Sequence, residues 1–302
     1  MIRFGTNPIA WSNDDDWSIG DHLSLEDCLR DCRAIGFDGI EKGHKMPAEG
    51  AALKAKLAEY ELRFAAGWFS TGLLVNDLQD EVRALRDWIA FTKAAGGDHI
   101  NACECSNTVH GNDAVAVNDR PVMSDAEWDR FSRGYEELSR VAAEEGVAMG
   151  YHHHMGTIIE SAAEIARFME MAGPHTRLLL DTGHAWFGGA DPAALARSYM
   201  DRVSHIHCKN VRPAVAREVR EKGLSFLEGV RRGAFTVPGD PEGCVAFEPV
   251  LKVAAERGYS GWIVIEAEQD SAVRNPFEYQ SLGLRSLQAL AAEVGLIQPQ
   301  GA

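Results

Sequence analysis

Arg177-Leu178-Leu179-Leu180-Asp181-Thr182-Gly183-His184 is the stretch on which the fold turns. A short apolar run bounded by a turn reads as a buried strand, and this one ends abruptly in a carboxylate. Working outward, β-type runs of the same kind lie at Arg3–Thr6, Gly39–Glu41, Arg63–Trp68, His99–Ala102, Val147–His152, Val203–His207 and Trp262–Glu266. Between them helical periodicity covers Leu25–Ile35, Ala48–Glu59, Leu78–Ala95, Asp125–Glu145, Ser161–Met171, Pro192–Tyr199, Glu248–Glu256 and Phe277–Ala292. Strands alternating with helices in this way predict an α/β fold, a (β/α)8 TIM barrel occupying residues 1–302 as a single domain.

Local punctuation keeps the same phase. Gly36, Gly96-Gly97, Gly146, Gly173-Pro174 and Gly258 each close a helix just before a strand, and Ser24 with Asp27 and Ser124 with Glu127 have the form of capping boxes. Three connections after strands are long: Asn7 to Ser24, Cys103 to Met123, and Lys209 to the helix near Glu248. Such βα loops gather at the C-terminal face of a barrel, where the pocket is expected.

Composition narrows the function. A chain of 302 residues with 45% apolar content can bury a large core, while 30 basic against 45 acidic residues give a formal charge of -15. That balance repels phosphate backbones and anionic membranes, so neither nucleic acid nor a membrane is an expected partner. The N-terminus carries no basic region followed by a long apolar run, and no later stretch reaches membrane-spanning length, so a cytoplasmic location is expected. Six cysteines without a C-x-x-C pair read as free thiols.

Four successive strand ends offer metal ligands. In Gly150-Tyr151-His152-His153-His154-Met155-Gly156-Thr157, strand alternation puts His152 and His154 on one side and His153 on the other. Asp181 follows a buried apolar run, where an unpaired charge is costly without a metal or hydrogen bonds, although an aspartate there also commonly caps the next turn. In Ser204-His205-Ile206-His207-Cys208-Lys209, His205, His207 and Lys209 share a side, with His207 higher and His205 deep enough to be a hydrogen-bonded core histidine. Trp262-Ile263-Val264-Ile265-Glu266-Ala267-Glu268-Gln269-Asp270 ends in three acids, of which Glu266 is the better ligand and Glu268 its competitor. Carboxylates mixed with imidazoles suit Mn2+, Co2+, Fe2+ or Zn2+. Glu41 and Lys42 end the second strand, and Trp11, Trp68 and Trp186 lie at or beyond other strand ends. Tryptophan faces can pack on a cyclic polyol, although each alone is more often core.

Segments spread over nearly the whole chain resemble the inosose dehydratase family of the xylose isomerase-like barrel superfamily. The most specific are Asn7-Pro8-Ile9-Ala10-Trp11-Ser12-Asn13-Asp14-Asp15 and Ser106-Asn107-Thr108-Val109-His110-Gly111; Asp181-Thr182-Gly183-His184 and His205-Ile206-His207 mark the superfamily. The resemblance implies loss of water from 2-keto-myo-inositol (scyllo-inosose) to a trihydroxycyclohexane-dione in inositol catabolism, assisted by Mn2+ or Co2+, with glutathione as a further cofactor. Metal ligands carry over to Asp181, His207 and Glu266, and the first ligand, a glutamate in the sugar epimerases and isomerases, falls on His152, with His154 as the alternative. Replacing one of two opposed carboxylates by imidazole argues against symmetrical proton shuttling and for elimination. Glu266 or His154 is the expected base; His184, Lys209 and Glu41 are candidates for polarising or protonating groups; Asn7, Trp11, Trp68 and Trp186 are candidate substrate contacts. The competing functions are a metal-dependent ketose isomerase or epimerase and a noncatalytic polyol-binding protein. Expected partners are a small cyclic polyol ketone and further copies of the chain.

Overall fold

The computed structural model describes residues 1–298, so the last four residues of the expected 1–302 domain lie outside the described residues. Its strands are β1 (Ile2–Thr6), β2 (Gly39–Ile40), β3 (Arg63–Phe64), β4 (Trp68–Thr71), β5 (His99–Glu104), β6 (Ala148–His152), β7 (Arg177–Asp181), β8 (Val203–His207), β9 (Asn210–Val211), β10 (Phe235–Thr236) and β11 (Gly261–Ile265). Nine of these form one sheet in the order β3-β2-β1-β11-β8-β7-β6-β5-β4. Every pairing in it is parallel.

The two ends of that order are a single stretch of chain. The run predicted as one strand, Arg63–Trp68, is a stave in two pieces, whose first half pairs with β2 and whose second half continues to Thr71 and pairs with β5. Between the halves the backbone stays bonded on both sides, Ala65 N donating to Ile40 O at 3.0 Å and Asn101 N to Gly67 O at 3.0 Å. The sheet therefore closes on itself as an α/β barrel.

Helices α1 (Leu25–Ile35), α2 (Gly50–Ala58), α3 (Leu78–Ala94), α4 (Asp125–Glu144), α5 (Ala162–Met171), α6 (Thr182–Phe187), α7 (Pro192–Tyr199), α8 (Pro213–Lys222), α9 (Phe226–Arg231), α10 (Glu248–Glu256) and α11 (Pro276–Glu293) complete the chain. Both expected capping boxes form, and a third joins Ser161 to Glu164. Gly36 takes the left-handed conformation at φ 100°, as its helix-closing role requires. Gly173 does not: Ala172 ends α5 in extended backbone, and a Cβ at Gly173 would lie 2.5 Å from the Glu136 carboxyl carbon, so that side chain would have to move. The connection from Lys209 to Glu248 is also not an open loop. It holds the β9–β10 hairpin, α8 opening on Pro213 and closing on Gly223, and α9 capped by Ser225.

Inside the barrel, Ala65, Trp262 and Val264 form a small cluster apart from the main core that lies between sheet and helices. Glycines make room for the indole: a Cβ on Gly39 would stand 2.6 Å from Trp262 Cη2. The Trp262 ring thus fills the barrel interior below the polar strand ends, where TIM barrels ordinarily stack branched side chains.

Candidate active site

β6, β7, β8 and β11 end at the same rim, and they bring His152, Asp181, His207 and Glu266 together. His152 Nε2 lies 3.4 Å from Asp181 Oδ2, and His207 Nδ1 lies 3.5 Å from the same oxygen and 2.6 Å from Glu266 Oε2. Donors at about 2.1 Å from a shared divalent ion stand roughly 3.0–3.4 Å apart, close to the two longer spacings. Asp181 takes the capping role, one of its two expected readings. Its Oδ1 accepts the His184 backbone N–H at 2.8 Å as the cap of α6, which leaves Oδ2 facing His152 and His207. His184 also comes within 4.8 Å of His152, Asp181 and Glu266, but its Nε2 is engaged by Lys209 Nζ at 2.7 Å.

Glu41 anchors His207 from behind. Its Oε1 accepts from Asn101 Nδ2 at 2.7 Å, His205 Nε2 at 2.8 Å and His207 Nε2 at 3.0 Å, while Oε2 accepts from Asn7 Nδ2 at 2.7 Å. Donation from Nε2 fixes the ring so that Nδ1 faces Asp181 and Glu266. Burial opposes ionisation of Glu41, yet His207 and His205 outweigh it and hold its carboxyl well below the usual carboxylate range. With four donors on its two oxygens, Glu41 is occupied as an acceptor. His205 is the core histidine of the two, stacked on His99 with centroids 4.5 Å apart.

Asp181, Glu266 and Glu268 are buried around the ammonium of Lys209, and Glu41 is buried beside His207. Lys209 Nζ donates to Glu268 Oε2 at 2.8 Å and lies 3.4 Å from Glu266 and 3.9 Å from Asp181. Burial works against its charge, but Glu266 and Glu268 raise its pKa above the usual lysine value. Four carboxylates still outnumber that cation, and buried charge demands compensation. Protons supply part of it: despite burial, Glu41 and Glu266 push the His207 pKa well up, and Glu268 raises that of His154. A divalent ion would replace the His207 proton, so the donor set fits one, with His152, Asp181, His207 and Glu266 as its holders.

Above this floor opens a cavity of about 360 Å³, at the lower end of small-molecule sites. Of the predicted residues, Asn7, Glu41, Trp68, His154, His207 and Glu266 line it. Trp68 sets its ring edge-on to His152 and His154, at centroid distances of 5.4 and 5.9 Å. Lys209 and His184 sit behind the wall, facing each other, and Lys209 reaches the cavity through Glu268 and Glu266. Two substrate contacts are corrected. Trp11 is buried with its Nε1–H on Asp31 Oδ2 at 2.9 Å, and Trp186 packs its α6 side chain against the core; neither lines the cavity, because a strand-end position does not fix the direction of a side chain on the following turn. Sequence reasoning assigned no role to Asp15, Ser70, Asn101, Cys105 and His110, which line the cavity too. Asp15, Cys105 and His110 belong to two of the three long connections flagged from sequence, and loop length was the available signal.

These features define a parallel α/β barrel with a mixed carboxylate–imidazole centre at its C-terminal rim. Residues 29–290 match the xylose isomerase-like TIM barrel family, and the chain belongs to it. More narrowly, it belongs with the inosose dehydratases and their relative MocC. It is 41% identical over 282 residues to an inosose dehydratase of Klebsiella pneumoniae subsp. pneumoniae, covering 92% of this chain and 94% of that one. It is 39% identical over 294 residues to the rhizopine catabolism protein MocC of Rhizobium meliloti, covering 97% and 90%. Among solved structures, the IOLI protein with a bound zinc atom superposes with a TM-score of 0.69 at 13% identity, covering 97% and 99%, a likeness of fold.

Proposed function

We propose that the chain is a metal-dependent hydro-lyase that removes water from 2-keto-myo-inositol to give a trihydroxycyclohexane-dione in inositol catabolism. The observation that carries this reading is the convergence of His152, Asp181, His207 and Glu266 beneath a cavity of about 360 Å³ in a chain 41% identical to an inosose dehydratase. A bound divalent cation, Mn2+ or Co2+ on this reading, would polarise the substrate ketone and favour loss of the adjacent proton. The chain's own residues do the rest. Glu266 lines the cavity and takes the α-proton, while Lys209, fixed by His184, holds Glu268 in place beside it. Glu41 keeps His207 oriented, and the half-buried Trp68 offers its face to the C–H side of the ring. One-sided carboxylate chemistry of this kind suits elimination better than transfer between two faces.

Incubating metal-loaded protein with 2-keto-myo-inositol tests the reading by mass and ultraviolet absorbance. The expected product is lighter by one water. Ketose epimerisation at unchanged mass would transfer the function to an isomerase or epimerase, and tight binding without turnover to a polyol-binding protein. The reading extends to glutathione by resemblance, and assays with and without the tripeptide decide whether it is required. It also extends to the cytoplasm and to homo-oligomers. The cysteines are unpaired, in keeping with a reducing compartment, and no helix among the described residues is long and apolar enough to cross a membrane. Cell fractionation and light scattering test both.

A further inference from the structure

Elimination needs a proton donor for the departing hydroxyl on the cavity side. The groups expected there are otherwise engaged: the Glu41 carboxylate accepts from Asn7, Asn101, His205 and His207, and Lys209 and His184 face each other behind the wall. The loop after β1 carries three consecutive acids in a turn made by Asn13, whose Oδ1 accepts from Asp15 N at 2.8 Å and Asp16 N at 2.9 Å. That turn sends the three carboxyls to different fates. Asp14 also borders the cavity, but it accepts from the His44 backbone N–H at 3.0 Å and pairs with His44 Nδ1 at 2.6 Å. Asp16 accepts from Ser18 Oγ at 2.6 Å and Arg231 Nη1 at 2.8 Å. Asp15 lines the cavity, and no hydrogen-bond partner for its carboxyl occurs among the described residues.

We infer that Asp15 is the catalytic acid that protonates the departing β-hydroxyl, an assignment that rests on the dehydratase reading. Glu266 first takes the α-proton to leave an enolate; as the pair left on the α-carbon becomes the new C=C bond and the β C–O bond breaks, the Asp15 O–H passes its proton to the leaving oxygen. Water departs, Asp15 is left as carboxylate, and solvent at the cavity mouth reprotonates it, since the residue stays exposed there. The electrostatics agree with the geometry. Protein crowded around the opening raises the Asp15 carboxyl to about 6; His154 opposes that shift, while Glu268, Asp14 and Glu266 add to it. An acid with this pKa is protonated on the acid side of 6, so kcat/KM should fall as pH rises through that value.

The test compares wild type, Asp15→Asn and Asp15→Glu as metal-loaded full chains, reading water loss and α-deuterium exchange of 2-keto-myo-inositol in heavy water. Asp15→Asn should lose dehydration at least about a hundredfold while α-exchange persists, because proton abstraction needs only the base. Asp15→Glu should recover part of the loss, and the alkaline limb near pH 6 should vanish in Asp15→Asn. Unimpaired dehydration by Asp15→Asn would overturn the assignment. So would a parallel loss of exchange and dehydration with weakened substrate binding, the signature of a structural role. A wild type that neither exchanges nor dehydrates this substrate would overturn the dehydratase reading itself, which is a different result.

Discussion

Asp181 shows how much one side chain can carry at the end of a strand. One oxygen caps α6 and the other faces His152 and His207, so a single carboxylate couples the position of a helix to the proposed metal site. Asp181→Asn keeps the shape and removes the charge; it should weaken Mn2+ binding while leaving the fold intact, which calorimetry and circular dichroism would show together. Unchanged metal affinity would move the role to another residue. Glu41→Gln makes a sharper case, because Glu41 is proposed to touch the metal only through His207. Loss of the acceptor for His207 Nε2 should lower metal affinity by about 10–100-fold. Glu266→Gln should lower turnover at least about a hundredfold in a folded barrel. Near-normal turnover with metal still bound would exclude Glu266 as base and turn attention to Glu268.

At the scale of elements, the closing stave is the vulnerable part. β2 and β3 have only two residues each, yet they carry the closure between β1 and β4. Gly39 sits at the centre of that closure. A Cβ there would meet Arg63 O at 2.4 Å and the Trp262 ring at 2.6 Å, and backbone cannot yield as the end of a flexible side chain can. Gly39→Ala should therefore destabilise the protein by about 1–3 kcal/mol or more, read as a lower midpoint in urea unfolding. An unshifted midpoint would mean that the Trp262 indole does not pack as described.

For the whole molecule, the buried excess of carboxylate makes stability and metal content one problem. An ion that binds the folded chain alone adds about 2.7 kcal/mol at a free concentration of roughly 100 times Kd, so Mn2+ should raise Tm and chelation should lower it. The sign with pH follows from His207, whose raised pKa in the metal-free chain means that a proton occupies the position the ion would take. Apparent metal affinity should fall steadily as pH is lowered, and a flat profile in metal titrations would speak against His207 as a ligand.

Periodicity and punctuation in the sequence determined the number of staves, most helix boundaries and the strand ends that carry His152, Asp181, His207 and Glu266, because burial patterns and caps are local properties. The break in the third stave was not legible, since Ala65–Gly67 keeps its extended bonding on both sides and differs only in which neighbour it faces. Nor were α8 and α9, although Pro213 and Gly223 marked one of them. Roles at the site divide the same way. The candidate ligands follow from residue type at a strand end, whereas the retreat of Trp11 and Trp186 from the cavity, the four donors on Glu41, Lys209 behind the wall and Asp15 open to the cavity depend on where side chains from distant elements meet. Those meetings are decided when the barrel closes, because closure alone sets which loops share one mouth.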